Sequence, residues 1–108
     1  MHNVTTNGAT IPALGLGTFR MPGEDVLRIV PYALKAGFRH VDTAQIYGNE
    51  AEVGEAIFSS GIQRGDIFLT TKVWVDHYKH DAFINSVDES LAKLKTDYVD
   101  LLLLHWPN

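Results

Sequence analysis

The sequence predicts an α/β fold, the N-terminal half of a (β/α)8 barrel preceded by a β-hairpin, on three observations. Apolar strand-like runs each end in one ionisable residue, at Asp42, Lys72 and His105. These ends fall about 30 positions apart, the length of one βαβ unit, and apolar residues at helical spacing lie between them. Near the N-terminus, Asn7-Gly8 separates Val4-Thr5-Thr6 from Ala9-Thr10-Ile11. That is a hairpin signal, because a type I′ turn needs positive φ at both central residues.

After the hairpin, Leu14-Gly15-Leu16-Gly17 reads as a short strand with close backbone packing. A helix is predicted from about Glu24 to Ala36, with Leu27, Val30 and Leu34 on its inner face and Gly37 ending it. Pro31 lacks a backbone donor, so a kink or restart is expected there. The run from Phe38 to Val41 is the next strand. Asn49 is placed to cap a second helix, with Glu52 completing a capping-box pair and Val53, Ile57 and Phe58 facing inward. Gly61–Asp66 returns the chain to the strand Ile67–Thr71. A third helix, Asp81–Leu94, carries Ile84, Val87, Leu91 and Leu94 inward and a Glu89–Lys93 pair outward. Val99–Leu104 is the last strand. Strands alternating with helices imply a parallel sheet, since each crossover is a helix on one face.

Parity selects a closed barrel over an open sheet. Asp42 shares a face with His40 and Phe38, Lys72 with Thr70 and Phe68, and His105 with Leu103 and Leu101. Polar groups thus sit at the C-terminal ends of strands above a mainly filled interior, where barrel active sites lie. Gly15-Leu16-Gly17-Thr18-Phe19-Arg20 lacks the third glycine of a dinucleotide-binding turn. Residues 1–108 are expected to be one half of a TIM barrel, the chain stopping just past the fourth barrel strand, since a complete one takes about 250 residues.

Composition narrows the function classes. Nine basic and 13 acidic residues give a net charge of −4 with no basic run, which argues against nucleic acid. With no cysteine there is neither a disulfide framework nor a thiolate metal site. No apolar stretch reaches membrane-spanning length and the N-terminus lacks a secretory core, so a cytoplasmic setting without a membrane partner is expected. His77 and His80 read as solvated loop residues and not as a metal site, and Glu89, Asp97 and Asp100 as surface charges.

Singly, Asp42 reads as a cap, His105 as a core histidine and Tyr47 as a packing residue. Together they make a proton-transfer site. Charges at the ends of buried strands are costly unless paired. An ammonium about 4 Å from a phenol acts with roughly 4 kcal/mol at an effective dielectric near 20, favouring proton release. Asp42 keeps Lys72 charged and fixed, and a neutral His105 orients a carbonyl oxygen beside Tyr47. Such a site suits protonation of a developing alkoxide while hydride reaches the carbon from the other side.

Gly15-Leu16-Gly17-Thr18-Phe19, Asp42-Thr43-Ala44-Gln45-Ile46-Tyr47-Gly48-Asn49-Glu50, Thr71-Lys72-Val73-Trp74 and Leu102-Leu103-Leu104-His105-Trp106-Pro107 resemble the aldo-keto reductase family. The resemblance runs along essentially the whole chain, in order. It implies a catalytic tetrad of Asp42, Tyr47, Lys72 and His105. It also implies a cofactor surface at Gly17, Thr18, Phe19, Asp42 and His105, and a substrate wall of Phe19, Ile46, Trp74, His105 and Trp106. The implied cofactor is NADP(H), with NAD(H) as the alternative, and the implied substrate is a small aldehyde or ketone. The hairpin resembles the one that plugs the barrel bottom. Two rival readings are a partner-binding or sensor subunit on the same fold, and an inert half-barrel that self-associates through its open strand edges.

Overall fold

The structure is a computed structural model that describes residues 3–6 and 8–105. Strands β1 (Asn3–Thr6) and β2 (Ala9–Pro12) pair antiparallel, and the Thr6–Ala9 register closes a two-residue turn. Gly8 has φ +80°, as the predicted turn requires; Asn7 lies outside the described residues. Four further strands follow: β3 (Gly15–Gly17), β4 (His40–Asp42), β5 (Phe68–Val73) and β6 (Leu101–Leu104). They form one parallel sheet in chain order, joined by helices α1 (Gly23–Lys35), α2 (Glu50–Ser59) and α3 (His80–Leu94).

Register puts the strand ends at one edge of the sheet. Asp42 pairs with Thr70, and Lys72 with Leu103. The backbone N–H of His105 continues the ladder by donating to the Val73 carbonyl at 3.0 Å. On the face shared with Asp42, His40 lies 3.0 Å from the Thr70 hydroxyl and its ring meets Phe68 edge-on at 4.9 Å. The opposite face presents Val41 and Leu69, both buried, to the helices. Around them close Val26, Val30 and Leu34 of α1, Val53, Ala56 and Ile57 of α2, and Leu94 of α3. Each fully buried aliphatic side chain contributes about 1.5–3 kcal/mol. The hairpin sits at the other end of the strands, where Thr10 and Pro12 border a cleft of about 130 Å³ with Ile67, Phe68 and Asp100.

Several helix details depart from the sequence reading. The first helix continues through Pro31 without a restart, held on both sides by buried Val26, Val30, Ala33 and Leu34. Its buried stripe is set by Val26, so Leu27, one residue round the helix, is 44% exposed. Gly37 does end the helix: at φ +111° its N–H reaches Leu34 O, and that of Phe38 reaches Ala33 O, a Schellman closure. Phe58 is 76% exposed and not inward. A Cβ on Gly54 would stand 2.4 Å from the Lys93 carbonyl oxygen, so α2 and α3 meet there against backbone. Likewise the third helix turns Ser86, Ser90 and Leu94 inward and leaves Ile84 exposed.

Gly54→Ala should therefore lower thermal stability by about 1–3 kcal/mol, because the neighbour is backbone and cannot swing aside. Thermal unfolding monitored by circular dichroism checks this; an unchanged Tm would show that the two helices separate at little cost.

Candidate active site at the C-terminal strand ends

Strand β4 delivers Asp42 to the edge, and a 3-10 turn, Gln45–Tyr47, brings Tyr47 back over it before Gly48 (φ +72°) releases the chain into α2. Lys72 rises from the next strand. Its ammonium donates to the Asp42 carboxylate, to Thr43 O at 3.1 Å and to the Tyr47 hydroxyl at 3.3 Å. The Lys72 side chain is only 16% exposed. Three acceptors from a single connection therefore replace the water that this ammonium loses on folding.

His105 stands on the far side of Tyr47, its ring edge-on to the phenol at 5.8 Å and to Trp74 at 5.3 Å. Burial holds the His105 imidazole below its ordinary pKa; Lys72 pushes the same way and Asp42 opposes both. The ring is accordingly neutral at physiological pH. Phe19 packs against Tyr47 at 5.3 Å and keeps 61% of its surface open, with the Arg20 guanidinium 5.1 Å above it. Ile46 is also exposed, at the same turn. Trp106 lies outside the described residues.

The loop carrying Gly17, Thr18 and Phe19 is fastened by a buried knot. Thr18 N–H donates to Asp42 O at 3.0 Å, and its hydroxyl to that of Thr43 at 2.9 Å. Asn49, 2% exposed, donates from Nδ2 to Thr18 O and Met21 O and accepts the Thr43 hydroxyl at Oδ1. Asn49 thus occupies the N-cap position without making a side-chain cap. Glu52 lies against Gly23 and not in a capping box. The capping signature was real in position, but the Thr43 hydroxyl takes the Oδ1 that a cap would use, and Nδ2 turns to two carbonyls of the neighbouring loop.

A second buried group went unread in the sequence. Glu50, 3% exposed, accepts the hydroxyls of Thr71 at 2.6 Å and Ser90 at 3.1 Å. Serines at 86 and 90, one turn apart and a turn before Leu94, were the available signal. His77 is not a solvated loop residue; its Nδ1 meets Gln45 Oε1 at 2.9 Å. His80 is exposed beside Asp81. Asp100 is exposed, as expected of a surface charge, and bonds Arg64 at 3.0 Å and the Leu69 N–H at 2.8 Å. Glu89 and Lys93 pair at 3.1 Å as the spacing predicts. Among the described residues no group of three metal-ligating side chains comes together, and no helix is long and apolar enough to cross a membrane.

Comparison with known proteins bears on this arrangement. The model of the aldo/keto reductase family matches residues 13–108. The chain belongs to the aldo/keto reductase family. It is 56% identical over 99 residues to a methylglyoxal reductase, DkgB, of Salmonella typhi, a match covering 92% of this chain and 37% of that protein. A crystal structure provisionally named 2,5-diketo-D-gluconic acid reductase B superposes with TM-score 0.96 at 79% identity, over 99% of this chain and 38% of that one. An aldo/keto reductase of Brucella melitensis superposes with TM-score 0.94 at 51% identity, over 98% and 42%. The chain therefore spans well under half the length of these relatives, and its parallel α/β sheet matches part of their TIM barrel.

Because His105 is depressed by burial and by Lys72, its imidazole should titrate below about 6.5, the value for a free side chain. The unfolded chain then binds more protons than the folded one as pH falls through that window. Stability is consequently full above about pH 6.5 and declines below it. An NMR titration of the His105 ring protons checks the sign; a midpoint above 6.5 contradicts it.

Proposed function

We propose that residues 1–108 form the first half of the barrel of a cytoplasmic NAD(P)H-dependent reductase that converts aldehydes and ketones to alcohols. The single observation that carries this reading is the Lys72 ammonium, held by the Asp42 carboxylate and 3.3 Å from the Tyr47 hydroxyl. An ammonium so placed stabilises the phenolate that forms in the transfer, because its charge is already fixed there. Tyr47 is the general acid. Its proton goes to the carbonyl oxygen as the carbon is reduced, and solvent restores it after the alcohol leaves. Lys72 stabilises the phenolate, and Asp42 holds Lys72 in place. His105, neutral beside Tyr47, orients the carbonyl oxygen.

None of these four side chains can give up a hydride, so the donor set calls for a bound reductant. A reduced nicotinamide supplies that hydride to the carbonyl carbon when bound. NADP(H) is our choice, with NAD(H) as the alternative. The open ring of Phe19 beside Tyr47, on the loop fastened to Asp42 O, fits a flat apolar group at this edge. Gly17, Thr18, Phe19, Asp42 and His105 would hold its reacting end. Phe19, Ile46, Trp74, His105 and Trp106 would wall the substrate. The Salmonella relative's name makes a small dicarbonyl such as methylglyoxal the first substrate to try.

Tyr47→Phe in the full-length protein should lower kcat by about 10²–10⁴-fold, the usual share of a general acid. Dinucleotide binding, followed by fluorescence quenching, should survive. Near-normal turnover of the variant would remove Tyr47 from its role. A wild-type protein that binds the dinucleotide yet reduces no carbonyl would favour the sensor-subunit reading.

A further inference from the structure

The Gln45 side chain stands outside the four-residue chemistry yet bonds in three directions. Its Oε1 accepts the backbone N–H of Trp74 at 2.9 Å and lies 2.9 Å from His77 Nδ1. Its Nε2 donates to Ser90 Oγ at 3.2 Å. Gln45 opens the turn that carries Ile46 and Tyr47, while Trp74 opens the connection after β5. One amide thus ties together the two loops that flank the site.

Hydrogen-bond polarity fixes the orientation of that amide. The Glu50 carboxylate only accepts, so the Ser90 hydroxyl must give it its one hydrogen at 3.1 Å, leaving Oγ to accept from Gln45. Thr71, the residue before Lys72, occupies the other carboxylate oxygen. A flipped amide would turn its NH₂ onto the Trp74 N–H and leave Ser90 facing a carbonyl. The buried carboxylate therefore dictates, through one hydroxyl, that the Gln45 carbonyl faces Trp74. The same polarity requires His77 to carry its proton on Nδ1.

We infer that Gln45, oriented by Ser90 and Glu50, is a positioning residue that sets the seat of Trp74 against His105 and thereby governs which carbonyl substrates fit. The kinetic side of this inference rests on the reductase reading above; the structural side does not. Loss of the tie acts on Trp74 and on KM more than on the proton transfer at Tyr47. The substrates most affected are bulky aldehydes that reach the indole, while the smallest ones sense only the tetrad.

The test uses the full-length protein with Gln45→Leu, Gln45→Glu and Ser90→Ala. Amide hydrogen exchange by NMR should show the Trp74 N–H exchanging about tenfold faster in Gln45→Leu, as expected for one lost bond. The Val73 amide should be unmoved. Gln45→Glu keeps an acceptor and should restore protection to within roughly threefold. Ser90→Ala should move Trp74 in the same direction as Gln45→Leu, and it carries the test if the latter does not fold. With NADPH and an aldehyde series, Gln45→Leu should change the ratio of KM for a bulky over a small aldehyde by about tenfold. Unchanged Trp74 exchange in the folded variants overturns the inference whatever the activity. Faster exchange with an unchanged KM ratio overturns the selectivity claim. A wild type without reductase activity defeats the proposed function alone, because the exchange measurement still decides the tie.

Discussion

The structure turns on one largely enclosed cation. Lys72 brings an ammonium to the end of a strand whose other residues are largely enclosed, and such a charge is tolerable only if acceptors surround it. They come from the connection after β4: the Asp42 carboxylate, the Thr43 carbonyl and the Tyr47 hydroxyl. That demand fixes the register of β4 against β5 and the path of the turn between Ala44 and Gly48. It also places the phenol where proton transfer is useful. Stability and chemistry thus draw on the same contacts, so neutralising Lys72 would leave an acidic, underpaired edge.

Two polar networks hold the connections around this cation. Thr18, Thr43 and Asn49 bind the loop after β3 to the turn after β4. Gln45, Ser90, Glu50 and Thr71 bind that turn to β5, α2 and α3. Buried hydroxyls and amides are costly when half satisfied and stiffening when every donor has an acceptor. Here the buried donors run, directly or through one hydroxyl, to a carbonyl or a carboxylate. The apolar core of α1, α2 and the sheet lies behind, so the helices supply burial and the networks supply precision of placement.

The repeat of ionisable strand ends made the parallel sheet legible, and the parity of His40, Asp42, Thr70 and Lys72 made its polar edge legible. That Asp42, Tyr47, Lys72 and His105 meet could be read because Asp42 and Lys72 lie at the ends of paired strands, where direction is fixed by backbone pairing, and Tyr47 and His105 come just past strand ends. Helix faces were less legible. Leu27, Phe58 and Ile84 fit an apolar stripe by spacing, yet all three are exposed. The α2–α3 seam is set by backbone approach at Gly54, and α3 turns Ser90 toward a buried glutamate. Periodicity registers hydrophobicity; it does not register a carboxylate on a neighbouring helix. Asn49 was misread for a related reason, since a cap is a local device and its amide nitrogen donates to carbonyls about thirty residues away in sequence.

The central claim is that this edge directs a hydride to carbon and a proton to oxygen. The most direct measurement follows the hydride. Full-length protein is incubated with NADPH carrying deuterium at the transferable C4 position and a small aldehyde in ordinary water, and the alcohol is analysed by NMR. The account predicts one deuterium on the carbinol carbon. An alcohol without carbon-bound deuterium, or no cofactor oxidation with any carbonyl offered, would contradict it.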